Sequence, residues 1–329
     1  MKKAQLFLIV LALISTLVGC KSAKKEAETF NVGIVSTMFS ALDPAVQGFK
    51  AGLAERGYTE GKNITYLEPD LIEADVEAIT SAIQELVDDK VDLLFTLDRD
   101  TLVIAKQLTA GTDVSVVFSS GGDLVQVGIV ESVKRPGGNV TGVSMSLLDV
   151  KSDASRLEWL LRIKPGAKRV YLLYNPDDAA MAPSFAVVEE AAAKLGVTLV
   201  TREYRNEADF VAGVENVPQD VDAWFTLPDS TMGRHALELV VTSMDLKLPL
   251  STPLTDITRV GGLMSYGSDR FLVGGQIARL ADQVLQGADP GSLPLESPEI
   301  VFAINLKTAE TIGLDIPDEV LQAASEIVR

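Results

Sequence analysis

The chain writes one short pattern twice. Val91–Thr101 reads VDLLFTLDRDT and Val221–Thr231 reads VDAWFTLPDST. Each copy opens on Val-Asp, runs through apolar residues to Phe-Thr-Leu, and breaks into Asp and a hydroxyl residue before a helical pattern resumes. A short apolar run bounded by turn residues is the signature of a buried parallel strand. The residues that follow it lie at the strand's carboxyl end, where open α/β sheets hold their ligands. Two such units predict two similar lobes with a cleft between them.

The surrounding elements repeat in the same order. Strands are expected at Asn31–Val35, Asn63–Leu67, Val91–Thr96 and Val114–Ser119, with helices at Pro44–Arg56, Glu73–Asp88 and Leu102–Leu108 between them. Asp43-Pro44 is a good helix start and Gly57 a good stop. The unit Val32–Ser119 is echoed by Val170–Thr252, with strands at Arg169–Tyr174, Val197–Glu203, Val221–Thr226 and Leu248–Thr252. The alternation predicts an α/β protein in which each lobe is a parallel sheet with helices on both faces. At 329 residues the chain has material for about two domains.

Lobe one is assigned to residues 30–147 with roughly 270–295, and lobe two to 148–269 with roughly 296–329. A first crossing is expected near Met145–Val150, and Pro294–Asn305 reads as an extended connector making another pass. Gly233–Met244, which contains the single His235, reads as one helix, and Ile316-Pro317-Asp318 opens a last helix running towards Arg329.

Residues 1–19 have the form of a signal peptide: Lys2 and Lys3, then an apolar stretch Leu6–Leu17 too short for a comfortable membrane span. The end, Leu17-Val18-Gly19-Cys20, resembles the bacterial lipobox, in which cleavage precedes a lipidated Cys. Cys20 is the only cysteine of the chain, which sharpens that reading. Residues 20–29 continue as a small, charged tether without hydrophobic periodicity. An extracytoplasmic protein held to a bacterial membrane through acylated Cys20, on the periplasmic side or the cell surface, is expected.

A formal net charge of −17 argues against nucleic-acid binding, since no basic stripe could neutralise phosphates. One His and one Cys cannot build a Cys/His zinc site or an intrachain disulfide. No metal and no cofactor is expected. The chain lacks a Gly-x-Ser-x-Gly elbow, a Walker-type phosphate loop and a dinucleotide glycine fingerprint after its first strand.

Loops that end at helix N-termini offer free N–H groups and a partial positive charge, which suit a carboxylate. From lobe one, Ser36, Thr37, Ser40, Thr96, Thr101, Ser119 and Ser120 are candidates to supply hydroxyls and amides. From lobe two, Asn175, Asp229, Ser230 and Thr231 would face them, with Asp229 suited to a ligand amino group. Met38, Phe39 and Tyr266 could form apolar walls, or pack in the core. Within Asp98-Arg99-Asp100, Asp98 and Arg99 are further candidates: Arg99 could clamp an acidic ligand, or the cluster could be a solvated, salt-bridged surface.

Several stretches together carry a family resemblance: VGIV, GFKAGLAERGYTEGKNITY, PGGNVTGVS, KRVYLLYNP, FTLPDST, VGGQIARLADQVLQGADP and INLKTAETIGL. Over almost all of residues 30–329 the chain resembles the bacterial ABC-transporter substrate-binding proteins typified by tryptophan- and tyrosine-type binding lipoproteins. It departs from that pattern at Thr96–Thr101, where small residues with Thr-Pro are usual, and at Ser120–Asp123, where Asp-Pro is usual. The resemblance implies a two-lobed periplasmic-binding-protein fold and a monomer that captures a small, amino-acid-like solute for an ABC permease. It also supports Asn175 and Asp229 as ligand contacts. A sensing lipoprotein feeding a separate signalling partner, or an α/β enzyme, are the alternatives.

Overall fold

The two copies of the repeated pattern become the middle strands of two sheets. The computed structural model describes residues 29–37, 43–71, 74–178 and 181–329; Cys20, Met38, Phe39 and Ser40 lie outside them. The first half runs β1 (Phe30–Val35), α1 (Pro44–Glu55), β2 (Ile64–Leu67), α2 (Val76–Asp88), β3 (Leu93–Thr96), α3 (Arg99–Leu108), β4 (Ser115–Ser120) and β5 (Val140–Ser144). The second runs α4 (Lys151–Ile163), β6 (Arg169–Tyr174), α5 (Ala182–Leu195), β7 (Thr198–Glu203), α6 (Glu207–Glu215) and β8 (Ala223–Thr226). It continues through α7 (Ser230–Arg234), α8 (Ala236–Asp245), β9 (Leu250–Leu254), α9 (Thr255–Arg259) and β10 (Met264–Ser268). The chain finishes with α10 (Arg270–Leu285), β11 (Ile300–Asn305), α11 (Leu306–Ile312), α12 (Asp318–Ala323) and β12 (Glu326–Val328).

One sheet has the order β2-β1-β3-β4-β5, all parallel. The other contains β7-β6-β8-β9-β10 in the corresponding order, also parallel, and is extended by β11 and β12. β11 is antiparallel to β10, so the second sheet is mixed at that edge. Each Val-Asp of the repeat has a local job. Asp92 accepts the Asn31 N–H at the start of β1, and Asp222 accepts the Lys168 and Arg169 N–H groups at the start of β6. The same aspartate thus aligns the strand next to it in both lobes.

Strand alternation feeds four cores, one on each face of each sheet. From β3, Leu93 and Phe95 join the layer under α1 and α10, while Leu94 joins the layer under α2 and α3. From β8, Phe225 faces α4 and α5, and Trp224 faces α6 and α8. Such doubly covered strands are continuous apolar runs for this reason.

Among the described residues the chain passes between the sheets three times. The first passage covers residues 145–150 and the second lies at Asp269. Before the third, Glu296 runs beside β5, its N–H donating to Gly142 and its carbonyl accepting from Ser144. Helix α10 therefore follows a strand of lobe two yet packs in lobe one, with Val273, Ile277 and Ala278 in the layer beneath α1. The α1–α10 crossing is close because it is lined with small residues. A Cβ at Gly48 would overlap the Phe271 carbonyl, and one at Gly274 would overlap the Ala45 carbonyl.

Several expectations are corrected here. The helix after β3 begins at Arg99 rather than Leu102, because Asp98 caps it: its carboxylate accepts the Thr101 N–H at 2.8 Å. The helix expected at Gly233–Met244 is two helices broken at His235, whose ring is held between Glu207 and Glu238. The expected connector Pro294–Asn305 ends in a core strand, β11. The final helix stops at Ala323, and residues 326–328 form β12, where Glu326 receives both arms of Arg259. Short helices α9 and α11 were not anticipated.

Gly274→Ala is expected to destabilise the protein by about 1–3 kcal/mol through overpacking at the crossing. Urea unfolding checks this; an unchanged midpoint would contradict the close approach of α1 and α10.

Candidate functional site

The carboxyl ends of the parallel strands of both sheets carry a row of loops rich in hydroxyl and acidic residues. In lobe one, Ser36 is buried at the end of β1, and the next amide, Thr37 N–H, donates to Asp98 Oδ2 at 2.8 Å. The other oxygen of Asp98 accepts both the N–H and the hydroxyl of Thr101, at 2.8 and 2.9 Å. Asp98 thus fastens the β1 loop to the N-terminus of α3, and its carboxylate is fully engaged. Thr101 is buried by the same bonds. The Thr96 hydroxyl is buried with no hydrogen-bond partner. Ser119 is half-buried, and the buried Ser120 donates to the Gly121 carbonyl at 3.3 Å. Arg99 is exposed.

Lobe two presents the matching loops. Asn175 follows β6; its side-chain oxygen accepts the Asp177 N–H at 3.0 Å, and its own N–H points to the Met181 sulfur. Asp229 caps α7 by accepting the Thr231 N–H at 2.8 Å. Ser230 opens that helix. Burial raises the Asp229 carboxyl above its ordinary range, opposed by its hydrogen bonds to Thr231. Asp229 borders a small apolar hollow with Met181, Tyr204, Phe210 and Met232. Tyr266 lies further from the strand ends, half-buried, edge-on to Phe302 in the lobe-two core. A broader groove opens at the opposite, amino end of the lobe-one sheet, beside Asp88, Asp92 and Asp113, away from these loops.

Two charged groupings beside the strand ends were missed in the sequence. Arg156 on α4 is fully buried; it donates to Asp153 and to the Thr226 carbonyl, both at 2.7 Å, and stacks 3.9 Å over Phe225. It anchors the end of β8 just before the Asp229 loop. At the second crossing, Arg270 donates to Asp43 at 2.6 Å and to Asp256 at 2.5 Å. Asp43 belongs to lobe one and caps α1, while Asp256 lies on α9 of lobe two. Arg259 extends this network to Asp256, the buried Asp269 and Glu326. Burial raises the Asp43 carboxyl and the Arg270 guanidinium pulls it down. No local sequence signal links these residues; the fold brings them together.

Two α/β lobes are joined by three crossings, and each lobe carries polar loops at its strand ends. The chain belongs to the ABC transporter substrate binding protein family, which it matches over residues 32–328. It is 25% identical over 296 residues to a tyrosine-binding protein of Clostridioides difficile (strain R20291), covering 86% of this chain and 81% of that protein. A conserved domain protein from Vibrio cholerae O1 biovar eltor superimposes with a TM-score of 0.74 at 27% identity, covering 91% of this chain and all (100%) of that one. An ABC domain from Streptococcus pneumonia, solved in complex with L-Trp, has the same fold with a TM-score of 0.73 at 24% identity, covering 92% and 100%. The family consists of substrate-binding proteins of ABC transporters, which act outside the cytoplasm. Among the described residues no helix is long and apolar enough to cross a membrane.

Arg270→Gln leaves Asp43 and Asp256 without their shared partner. A loss of about 2–3 kcal/mol of unfolding free energy is expected, measured by urea denaturation at neutral pH. A loss within error would show that the crossing does not depend on this pair.

Proposed function

We propose that the protein captures an amino-acid-like solute between its lobes and hands it to an ABC permease, as a monomer held to the membrane by lipid on Cys20. The role is capture rather than catalysis. The observation that carries the amino-acid reading is Asp229: a half-buried carboxylate at a strand end, capping a helix. An acid in that setting is a partner for an ammonium group, while loop amides opposite it suit a carboxylate. Similar proteins, one tyrosine-binding and one solved in complex with L-Trp, point the same way. Ser36, Thr37, Ser119 and Ser120 of lobe one and Asn175, Ser230 and Thr231 of lobe two are proposed to line the cleft. Asp98 and Thr101 act by holding the loops in place. Closure follows from differential affinity: a solute that touches both lobes favours the closed arrangement.

Titration calorimetry with L-tyrosine and L-tryptophan tests this reading. Asp229→Asn is expected to weaken binding by about tenfold or more. In the native protein the ionised carboxylate receives the ammonium group. Affinity is therefore full at neutral pH and falls as pH drops through the raised pKa of free Asp229, earlier than for an exposed aspartate. The variant should lack that acid-side fall. Unchanged affinity in Asp229→Asn would remove this residue from the site.

A further inference from the structure

Resting on the solute-binding reading, we propose that Arg99 sets specificity: it receives a carboxylate that the solute carries in addition to an amino acid's α-carboxylate. Arg99 is the first residue of α3, at the carboxyl end of the central strand β3. Its guanidinium lies 4.0 Å from the Cβ position of Gly122, in the loop after β4. The neighbouring Gly121 has its own Cβ position 4.0 Å from the Ser146 hydroxyl, in the first crossing. Arg99, Gly122, Gly121 and Ser146 therefore form a row along the carboxyl edge of the lobe-one sheet, so the arginine head lies along the loops of the cleft. Neither glycine has a side chain to cover it, and Gly122 sits at φ 87°, which disfavours any replacement.

Among the described residues Arg99 makes no ion pair, unlike Arg156, Arg259 and Arg270 beside the strand ends and crossings. Two aspartates flank it in sequence, yet Asp98 has turned both oxygens to Thr37 and Thr101. Acidic groups outnumber basic ones 46 to 29 in this chain, so a guanidinium left open at a strand end is a local reversal of the prevailing field. Its planar fork matches a carboxylate with two parallel hydrogen bonds.

Calorimetric titration of the full chain in detergent with two charged and neutral pairs tests the proposal. The pairs are L-glutamate with L-glutamine, and 4-carboxy-L-phenylalanine with L-phenylalanine. In one pair or both, the charged member should bind about tenfold or more tightly than the neutral one. Arg99→Gln should reduce that preference to below about threefold while leaving the neutral member's affinity nearly unchanged. The preference should also shrink as salt rises from ~0.05 to ~0.5 M, because an exposed guanidinium is screened. Equal affinity within both pairs, or a preference that survives Arg99→Gln, would overturn the proposal even if L-tyrosine or L-tryptophan binds. If none of these amino acids binds, the amino-acid reading fails and this inference falls with it.

Discussion

Arg270 is the side chain on which the arrangement of the two lobes depends most. It stands where the chain leaves the lobe-two sheet and enters α10, and it joins Asp43 of one lobe to Asp256 of the other. Asp43 is buried and caps α1. One guanidinium thereby connects a crossing, the start of a lobe-one helix and a lobe-two helix. The next turns of α10 lie so close against α1 that glycine is required on both helices. The helix that follows the second crossing is thereby fixed to lobe one.

Function follows from direction. All five strands of lobe one and five of lobe two run so that their carboxyl ends carry the polar loops. The repeated aspartates prepare those ends: Asp92 and Asp222 set the neighbouring strand, while Asp98 and Asp229 cap the helix that follows. The two caps differ in a useful way. Asp98 spends both oxygens on Thr37 and Thr101, so it is structural. Asp229 spends one on Thr231, and burial raises its pKa, so it gains from a cationic partner.

Much of this architecture was legible in the sequence because it rests on local signals. The repeat, the alternation of elements and Asp-Pro at Asp43 act within a few residues. What could not be read depends on partners far away in the chain. Residues 326–328 become a strand because β11 offers an open edge and Arg259 grips Glu326, information absent from the terminal segment itself. The helical run from Ser230 to Asp245 is interrupted at His235, whose ring meets Glu207, 28 positions earlier. No local sequence signal links Arg156 or Arg270 to its partners; the fold buries one and places the other between two aspartates. In the candidate site, residue types were readable but not their local contacts: Asp98 bonds Thr101, and Tyr266 packs edge-on to Phe302.

Closure of the two lobes around a solute is the step proposed for capture. The most direct test is a pulsed electron-resonance distance between spin labels at exposed Glu77 in lobe one and exposed Glu190 in lobe two, with and without a solute shown to bind. The account predicts that the distance distribution shifts and narrows when the solute is added, and that an Asp229→Asn variant needs more solute for the same shift. A distribution that is identical with the solute bound would contradict closure and place binding on one lobe alone.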